Sequence, residues 1–497
     1  MPANPEQHRA QLPSPLVVIA FIYPGYRSLQ PDRIKSRSLT SPTGFRPMYR
    51  GYNSTPDEAE CMTFEQSRQL QQKSHALIPG GAHTYAKGDD QFPEGMCPVI
   101  VRGSGSHVFD LDGNDLIEYG AGVRSITLGH GCKPVCDAVY EAALNGTNFT
   151  RPSEIELRAA EKMLEVIPRA DMVKFGKNGS DAVTGAVKIA RSYTGREMVA
   201  VCADHPFYSV DDWFIGTTAM NSGIPQWALQ QTVKFKYNDL ESVRALFEKY
   251  PNQIACLVTE PETLEAPKPN FLHDLQDLCH AHGAIMILDE TITGFRWHVG
   301  GAQHVYDFTP DLSTFGKAMA NGFSVAALCG KREYMRLLGI EHTDRERCFA
   351  LSLTHGAETS GLAACIATIE AYHHCDVVGT MVKRGTQLRE GVTHAIQRTG
   401  VEKHFQVMGR PQLLFFATLD NTGQRSQLFR TLFMQEMLKR GIIAPSFVVN
   451  AAHHPTDIEY TISAVAESLE IYKRALDEGI EKYLTSRPVQ PVFRKFN

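Results

Sequence analysis

The chain predicts an α/β protein, with a large domain built on a mainly parallel sheet flanked by helices and a smaller α+β domain beside it. Three observations point there. Short β-branched apolar runs alternate with helical periodicity through the middle of the chain. Toward the C-terminus the pattern changes to long amphipathic helices around one strand-like run. The length, 497 residues, exceeds one ordinary core and implies two or three domains.

Residues 1–60 read as a dispensable N-terminal extension ahead of a soluble globular region. Its apolar run "LVVIAFIY" (16–23) is far shorter than the ~20 residues a bilayer span needs. Arg9 is the only basic residue preceding it, a weak secretory or targeting signal. The stretch 33–50 is Arg- and Ser-rich and acid-free, compatible with a transit-like or a disordered segment. Residues 61–125 carry a hairpin signal at Asp112–Gly113 and are assigned to the small domain.

Residues 126–380 are expected to form the large domain. Its strand candidates are "MVAVC" (198–202), "IACLVT" (254–259), "AIMIL" (284–288) and "SVAALC" (324–329). "SDAVTGAVKIARSYTG" (180–195) has Ala182, Val183, Ala186, Val187 and Ala190 at the spacing of one buried helical face. "FLHDLQDLCHAHG" (271–283) repeats that pattern and stops at Gly283. Residues 381–480 give the C-terminal small domain, with helical patterns from 376 to 400 and from 426 to 441 around "QLLFFATL" (412–419). A final helix over 456–479 carries a capping-box spelling at Thr456 and Glu459. Residues 481–497 form a tail.

Composition excludes several classes. A net charge of −5 offers no basic field for nucleic acid, and no base-stacking motif or basic helix is visible. Eleven cysteines without paired spacing predict reduced, mostly buried thiols in a cytoplasm-like compartment. Cys132 and Cys136 have no second Cys/His pair, so no metal site is expected.

Four stretches carry chemistry. In "GKNGSDA" (176–182), Asn178, Gly179 and Ser180 stand where a helix begins, and its unpaired N–H groups and dipole suit a phosphate. Ser180 as a simple N-cap remains the alternative. In "AIMILDETITGFRW" (284–297), Asp289 follows a buried strand at the edge where α/β sheets bind ligands. It suits a metal, a cationic ring nitrogen or merely the cap of a turn. "LVTEPE" (257–262) repeats the arrangement with Glu260, and "HPFYSVDDWF" (205–214) places Phe207 and Tyr208 to stack on a flat cofactor or close a core. Finally "STFGKAMANG" (313–322) sets Lys317 among small neutral residues with no acid nearby in sequence. In that order these are the parts of a pyridoxal-phosphate site.

From Ile78 to Leu476 the chain resembles the class III (fold type I) PLP-dependent aminotransferases, and within them it is similar to glutamate-1-semialdehyde 2,1-aminomutase. The motifs are "IPGG" (78–81), "DLDGNDLIEY" (110–119), "LGHG" (128–131), "NGSDA" (178–182), "DETITGFR" (289–296), "FGKAMANG" (315–322) and "AHHPTDI" (452–458). The resemblance implies that Lys317 forms the Schiff base with pyridoxal 5′-phosphate and then moves the α-proton, and that Asp289 keeps the pyridine nitrogen protonated. Asn178, Gly179 and Ser180 would seat the phosphate. Phe207 and Tyr208 would face the ring with Thr291, near Glu260, and Thr354 would reach the phosphate of the other subunit of a homodimer whose site lies at the interface. The partners implied are an amino donor and a carbonyl acceptor, with no nucleic acid and no membrane.

The departures concern substrate. Val123 and Arg124 replace the Trp and Gly of the aminomutases, and His83 and Thr84 replace their Asn-Ser. Arg124 and Thr84 are therefore candidate substrate residues, Arg124 as a forked donor for an anionic or polyhydroxylated substrate or, equally, as the partner of a structural carboxylate. This favours a transaminase for another carbonyl compound, such as a sugar- or natural-product-linked one. An intramolecular aminomutase and a non-catalytic protein of the same fold are the alternatives.

Overall fold

The computed structural model describes residues 62–262, 264–342, 344–484 and 486–496, all belonging to one compact unit. The N-terminal extension, with its runs at 16–23 and 33–50, lies outside the described residues, as does Cys61.

Among the described residues the central sheet has seven strands, in the order Met172–Gly176, Ala326–Gly330, Leu312–Phe315, Ile285–Asp289, Ile254–Thr259, Met198–Cys202 and Thr232–Phe235. Ala326–Gly330 is antiparallel to both neighbours, and the remaining pairs are parallel. Two reversals cancel, so Met172–Gly176 points the same way as the parallel strands. Every residue of Met198–Cys202, Ile254–Thr259 and Ile285–Asp289 is buried. A sheet covered on both faces needs apolar side chains in both directions, which explains unbroken apolar runs in place of alternation.

The helix Gly179–Thr194 lies against this sheet, and Ala182, Val183, Ala186, Val187 and Ala190 on its inner face are fully buried. Each buried valine there contributes about 1.5 kcal/mol or more. Asn178, rather than Ser180, caps the helix. Asp181 closes the start by accepting from the Asn178 and Lys177 N–H groups at 2.8 and 2.9 Å. Ser180 is already helical, and its Oγ accepts the Val210 N–H at 3.3 Å.

The small lobe draws on both ends of the described chain. Helices Val377–Thr399, Gln427–Lys439 and Pro455–Glu478 pack around strands Phe405–Arg410 and Leu413–Thr418 in a second core. The hairpin His107–Asp110/Asp115–Glu118 turns through Gly113 at φ +89°, and Ile442–Ile443 pairs in parallel with its second strand. The final helix begins one residue earlier than expected, at Pro455, with His454 as its cap. Proline favours the first helical position, so the cap moves back and Asp457, not Glu459, takes the reciprocal bond from the His454 N–H at 2.8 Å.

Asp457 also ties the hairpin to this helix. Ser106 Oγ donates to it at 2.8 Å, and His107 bridges Asp115 at 2.6 Å and Asp457 at 3.4 Å. Hydrogen bonds to Asp115 and Asp457 lift His107 to about 9, while against its burial Asp457 is held down to about 2 by bonds from His107, His454 and Ser106. A raised histidine stabilises the fold fully below its unfolded pKa of ~6.5 and loses that contribution as pH rises through 9. His107→Gln should therefore lower the thermal midpoint at pH 6, and the gap to the wild type should close above pH 9. Melting curves across that range check this; a gap constant with pH would show that packing alone is responsible.

Candidate active site

The parallel register builds the site. Thr259 is paired with Leu288 and Asp289 with Thr314, so Glu260, Asp289 and Lys317 leave the sheet at one edge. The helix Gly179–Thr194 starts at the same edge. A Cβ on Gly316 would lie 3.4 Å from Thr291 Cγ2 and 3.7 Å from the Gly179 N, and one on Gly179 would meet Thr291 Cγ2 at 2.9 Å. Gly179 therefore leaves the helix N-terminus open where Thr291 and Gly316 converge. The Thr291 hydroxyl is buried there without a hydrogen-bond partner.

Asp289 is 4% exposed, and its Oδ1 accepts from the Thr291 N–H at 3.0 Å and the Thr314 hydroxyl at 2.9 Å. Both bonds fall on one oxygen, which leaves Oδ2 for a ligand. Burial raises its pKa, and its hydrogen bonds and Lys317 pull it back. Lys317 opens a single 3-10 turn with its backbone at φ +46°, a left-handed conformation costing a non-glycine residue about 1 kcal/mol or more. Burial lowers its amine to about 8, against the attraction of Asp289 and Glu260 and with help from Arg124 and Arg296. The acids missing from its sequence neighbourhood are thus present in space, and burial outweighs them.

Glu260 is 2% exposed and neither carboxyl oxygen has a hydrogen-bond partner. Burial, then Asp289, pushes it up to about 8, with Lys317 and Arg124 opposing. Its backbone N–H donates to His205 Nδ1 at 3.0 Å, and the Tyr208 hydroxyl lies 2.8 Å from the same nitrogen. A backbone N–H can only donate, so Nδ1 carries no proton and Tyr208 donates to it. Burial holds His205 down to about 4, in keeping with a neutral ring. Tyr208 is buried in this network, whereas Phe207 is 40% exposed and stacks on Phe493 of the tail at 6.5 Å.

On the opposite side, Ala121, Gly122, Val123 and Arg124 have φ of +45°, +57°, +59° and +67°. This left-handed turn is closed by the Arg124 N–H to the Gly120 carbonyl at 2.9 Å and by the Ser125 N–H to the Ala121 carbonyl at 2.7 Å. The Arg124 guanidinium stands 5.2 Å from the Phe415 ring centroid; burial lowers its pKa and Glu260 opposes that. Asn321 joins the turn to the Lys317 loop. Its Oδ1 accepts the Thr127 and Leu128 N–H groups at 3.0 and 2.9 Å, and its Nδ2 donates to the Gly129 carbonyl at 3.0 Å.

The structure thus gathers Lys317, Asp289, Glu260, Thr291, Gly179, Ser180, Tyr208 and Arg124 around one sheet edge. Asn178 is exposed at the helix start, and Thr84 and Thr354 are exposed on loops away from these contacts. Four residues escaped sequence reasoning: His205, Arg296, Thr314 and Asn321. All four stood inside quoted motifs, but nothing local marked them as contacts of the site.

Comparison with known proteins follows the same lines. A family model described as "Aminotransferase class-III" matches residues 85–453. The chain is 30% identical over 429 residues to the 3-aminobutyryl-CoA aminotransferase of Cloacimonas acidaminovorans, covering 84% of this chain and 100% of that protein. It is 31% identical over 427 residues to the glutamate-1-semialdehyde 2,1-aminomutase of Alkaliphilus oremlandii, covering 82% and 98%. Its fold is similar to that of the FumI protein of Sphingopyxis sp. MTA144, with a TM-score of 0.75 at 24% identity over 86% and 99% of the two chains. It also matches a transaminase solved with PLP bound, with a TM-score of 0.76 at 22% identity over 84% and 100%.

Asn321→Ala removes the acceptor of two backbone N–H groups at a 6% exposed position. A loss of about 3 kcal/mol is expected from stranding them, read as a lower urea midpoint. An unchanged midpoint would mean that the 127–129 segment is held by other contacts.

Proposed function

The chain belongs to the class-III aminotransferase family, and from that membership we propose that it moves an amino group from a separate amino donor to a carbonyl acceptor. The family's cofactor is pyridoxal 5′-phosphate and its fold is fold type I. The residues at the sheet edge fit that group. An unpartnered Thr291 hydroxyl beside an open helix N-terminus suits a phosphate, and Asp289 keeps an oxygen for a ring N–H. Bound there, the cofactor supplies a carbonyl carbon for the amino group and a ring that stores the electron pair of the broken Cα–H bond.

The observation that carries the reading is the buried Lys317 amine, held down to about 8. An amine must lose its proton before it can attack a carbonyl, and an ordinary lysine near 10.4 seldom does so at neutral pH. Lys317 is the residue that would hold the cofactor covalently, and its freed amine would then take the proton from the donor's α-carbon and deliver it to the carbon that becomes the new amine-bearing centre. Asp289, whose carboxyl burial pushes up and whose hydrogen bonds and Lys317 pull back, would face the pyridine nitrogen and support its charge. Asn178, Gly179 and Ser180 would present the phosphate seat, Tyr208 would wall the ring, Phe207 would have to turn from Phe493 to join it, and Glu260 and Arg124 would face the substrate. Thr354, exposed just after Phe349 at 76% and Leu353 at 43% exposure, supports a homodimer in which it serves the partner subunit's site, while Thr84 is a substrate candidate.

Intramolecular amino transfer is the second reading, favoured by the likeness to proteins named glutamate-1-semialdehyde 2,1-aminomutase. A single-turnover assay decides: conversion of one substrate to completion with no amino donor or acceptor added would sink the transaminase. Lys317→Ala should fold and bind cofactor only noncovalently, and a borohydride-fixed adduct in that variant would overturn the assignment. Attachment of cofactor to the wild-type apoprotein should speed up as pH rises, with a midpoint near 8 set by the Lys317 amine; a rate flat from pH 6 to 10 would contradict it.

A further inference from the structure

Arg296 is the largest fully buried side chain among the described residues, and its surroundings do not explain its charge. Its Nη2 donates to the Arg124 carbonyl at 2.6 Å and its Nε to the Ile292 carbonyl at 3.3 Å, while Nη1 is buried without a partner. Its bonds go to carbonyls, not to a carboxylate. A guanidinium is a costly way to bond two carbonyls unless the position of one of them matters. The bonded carbonyl belongs to the last residue of the left-handed turn Ala121–Arg124, in which only Gly122 is a glycine. Such a turn reverts to ordinary handedness unless its surroundings over-determine it.

We propose that Arg296 is a positioning residue that locks this turn so that the Arg124 guanidinium faces Lys317, and that the turn thereby selects amino substrates carrying a carboxylate. Three further contacts brace the turn from below. A Cβ on Gly322, in the Lys317 loop, would meet Ile126 Cδ1 at 2.6 Å, Ser125 Oγ donates to the Gly122 carbonyl at 2.7 Å, and Ala121 is fully buried. Turn, Arg296 and the Lys317 loop therefore form one packed unit. Asn321 of the Lys317 loop bonds the Thr127 and Leu128 N–H groups and the Gly129 carbonyl, and Arg296 holds the Arg124 carbonyl, so the turn that carries Arg124 is fixed directly against the loop that carries Lys317. A carboxylate is the ligand that a forked guanidinium so placed recognises in two bonds.

This rests on the transaminase reading of Lys317, so the test separates the two. Aminooxyacetate and methoxyamine both condense with the cofactor's carbonyl, and they differ by one carboxylate. Loss of visible absorbance gives their rates on holoenzyme. The wild type should favour aminooxyacetate, and Arg296→Met should cut that preference about tenfold, the loss of one charge-assisted contact. Arg296→Lys should restore part of it. Arg124→Gly relieves the backbone and removes the guanidinium, so it should fold well and abolish the preference. In the cofactor-free protein, Arg296→Met should speed hydrogen exchange in a peptide spanning 119–126. An unchanged preference in Arg296→Met, or equal slowing with both reagents, would overturn the proposal. Failure of the wild type to react with either would overturn the reading of Lys317 and this inference with it.

Discussion

The parallel register that sets Asp289 against Thr314 is the constraint on which the site depends. It brings the Thr314 hydroxyl to Asp289 Oδ1 at 2.9 Å and leaves Lys317 three residues farther along the neighbouring strand's exit. Because both faces of the sheet are packed, a slip of one residue would carry every core side chain to the opposite face and break its packing there. Apolar packing therefore holds the register, and the register holds the chemistry. The same packing carries Glu260 to the next strand's end and the helix start at Gly179 to the far side of Gly316.

Placing these groups at a buried edge sets their charges. Burial alone would neutralise both carboxyls and the amine, and each opposite neighbour works against that. The outcome is graded by hydrogen bonding. Asp289 has two donors on Oδ1, whereas Glu260, with none on its oxygens, is lifted to about 8. Lys317 comes down to the same range. Two carboxyls one strand apart thus sit in different environments through hydrogen bonding rather than residue type. The backbone is strained in the same region, with Ala121, Val123, Arg124, Phe295 and Lys317 all at positive φ.

Much of this was legible in the sequence. Strands buried on both faces leave unbroken apolar runs, so "MVAVC" and "IACLVT" coincide with the strands found. Asp289 at the end of such a run and Lys317 among small residues were visible as misplaced charges. What was hidden depends on contacts between distant segments. No local pattern shows that Asp289 and Glu260 act on Lys317, or that His205 orders Tyr208 and the Glu260 backbone. Handedness was hidden too: nothing in "GAGVRS" announces a left-handed turn, and "GFR" does not say that its arginine bonds that turn. The final helix start was misplaced where a neighbour competed, with Pro455 moving its cap to His454, whereas the helix expected from 178–180 does begin there, with Asn178 as its cap.

The departures from the family pattern and the charge balance point the same way. Burial pushes Glu260 toward its neutral form, so the carboxyls offer little to offset Arg124, Arg296 and Lys317. An interior with surplus positive charge is stabilised by anions that enter it. The phosphate seat answers part of that surplus at the helix start. The remainder lies across the site, at a turn that carries arginine where the aminomutases have glycine. A neutral substrate would leave that charge uncompensated, while a carboxylate would satisfy it without disturbing Asp289. The residues that depart from the family therefore change what enters the site, and the register keeps the groups that act on it in place.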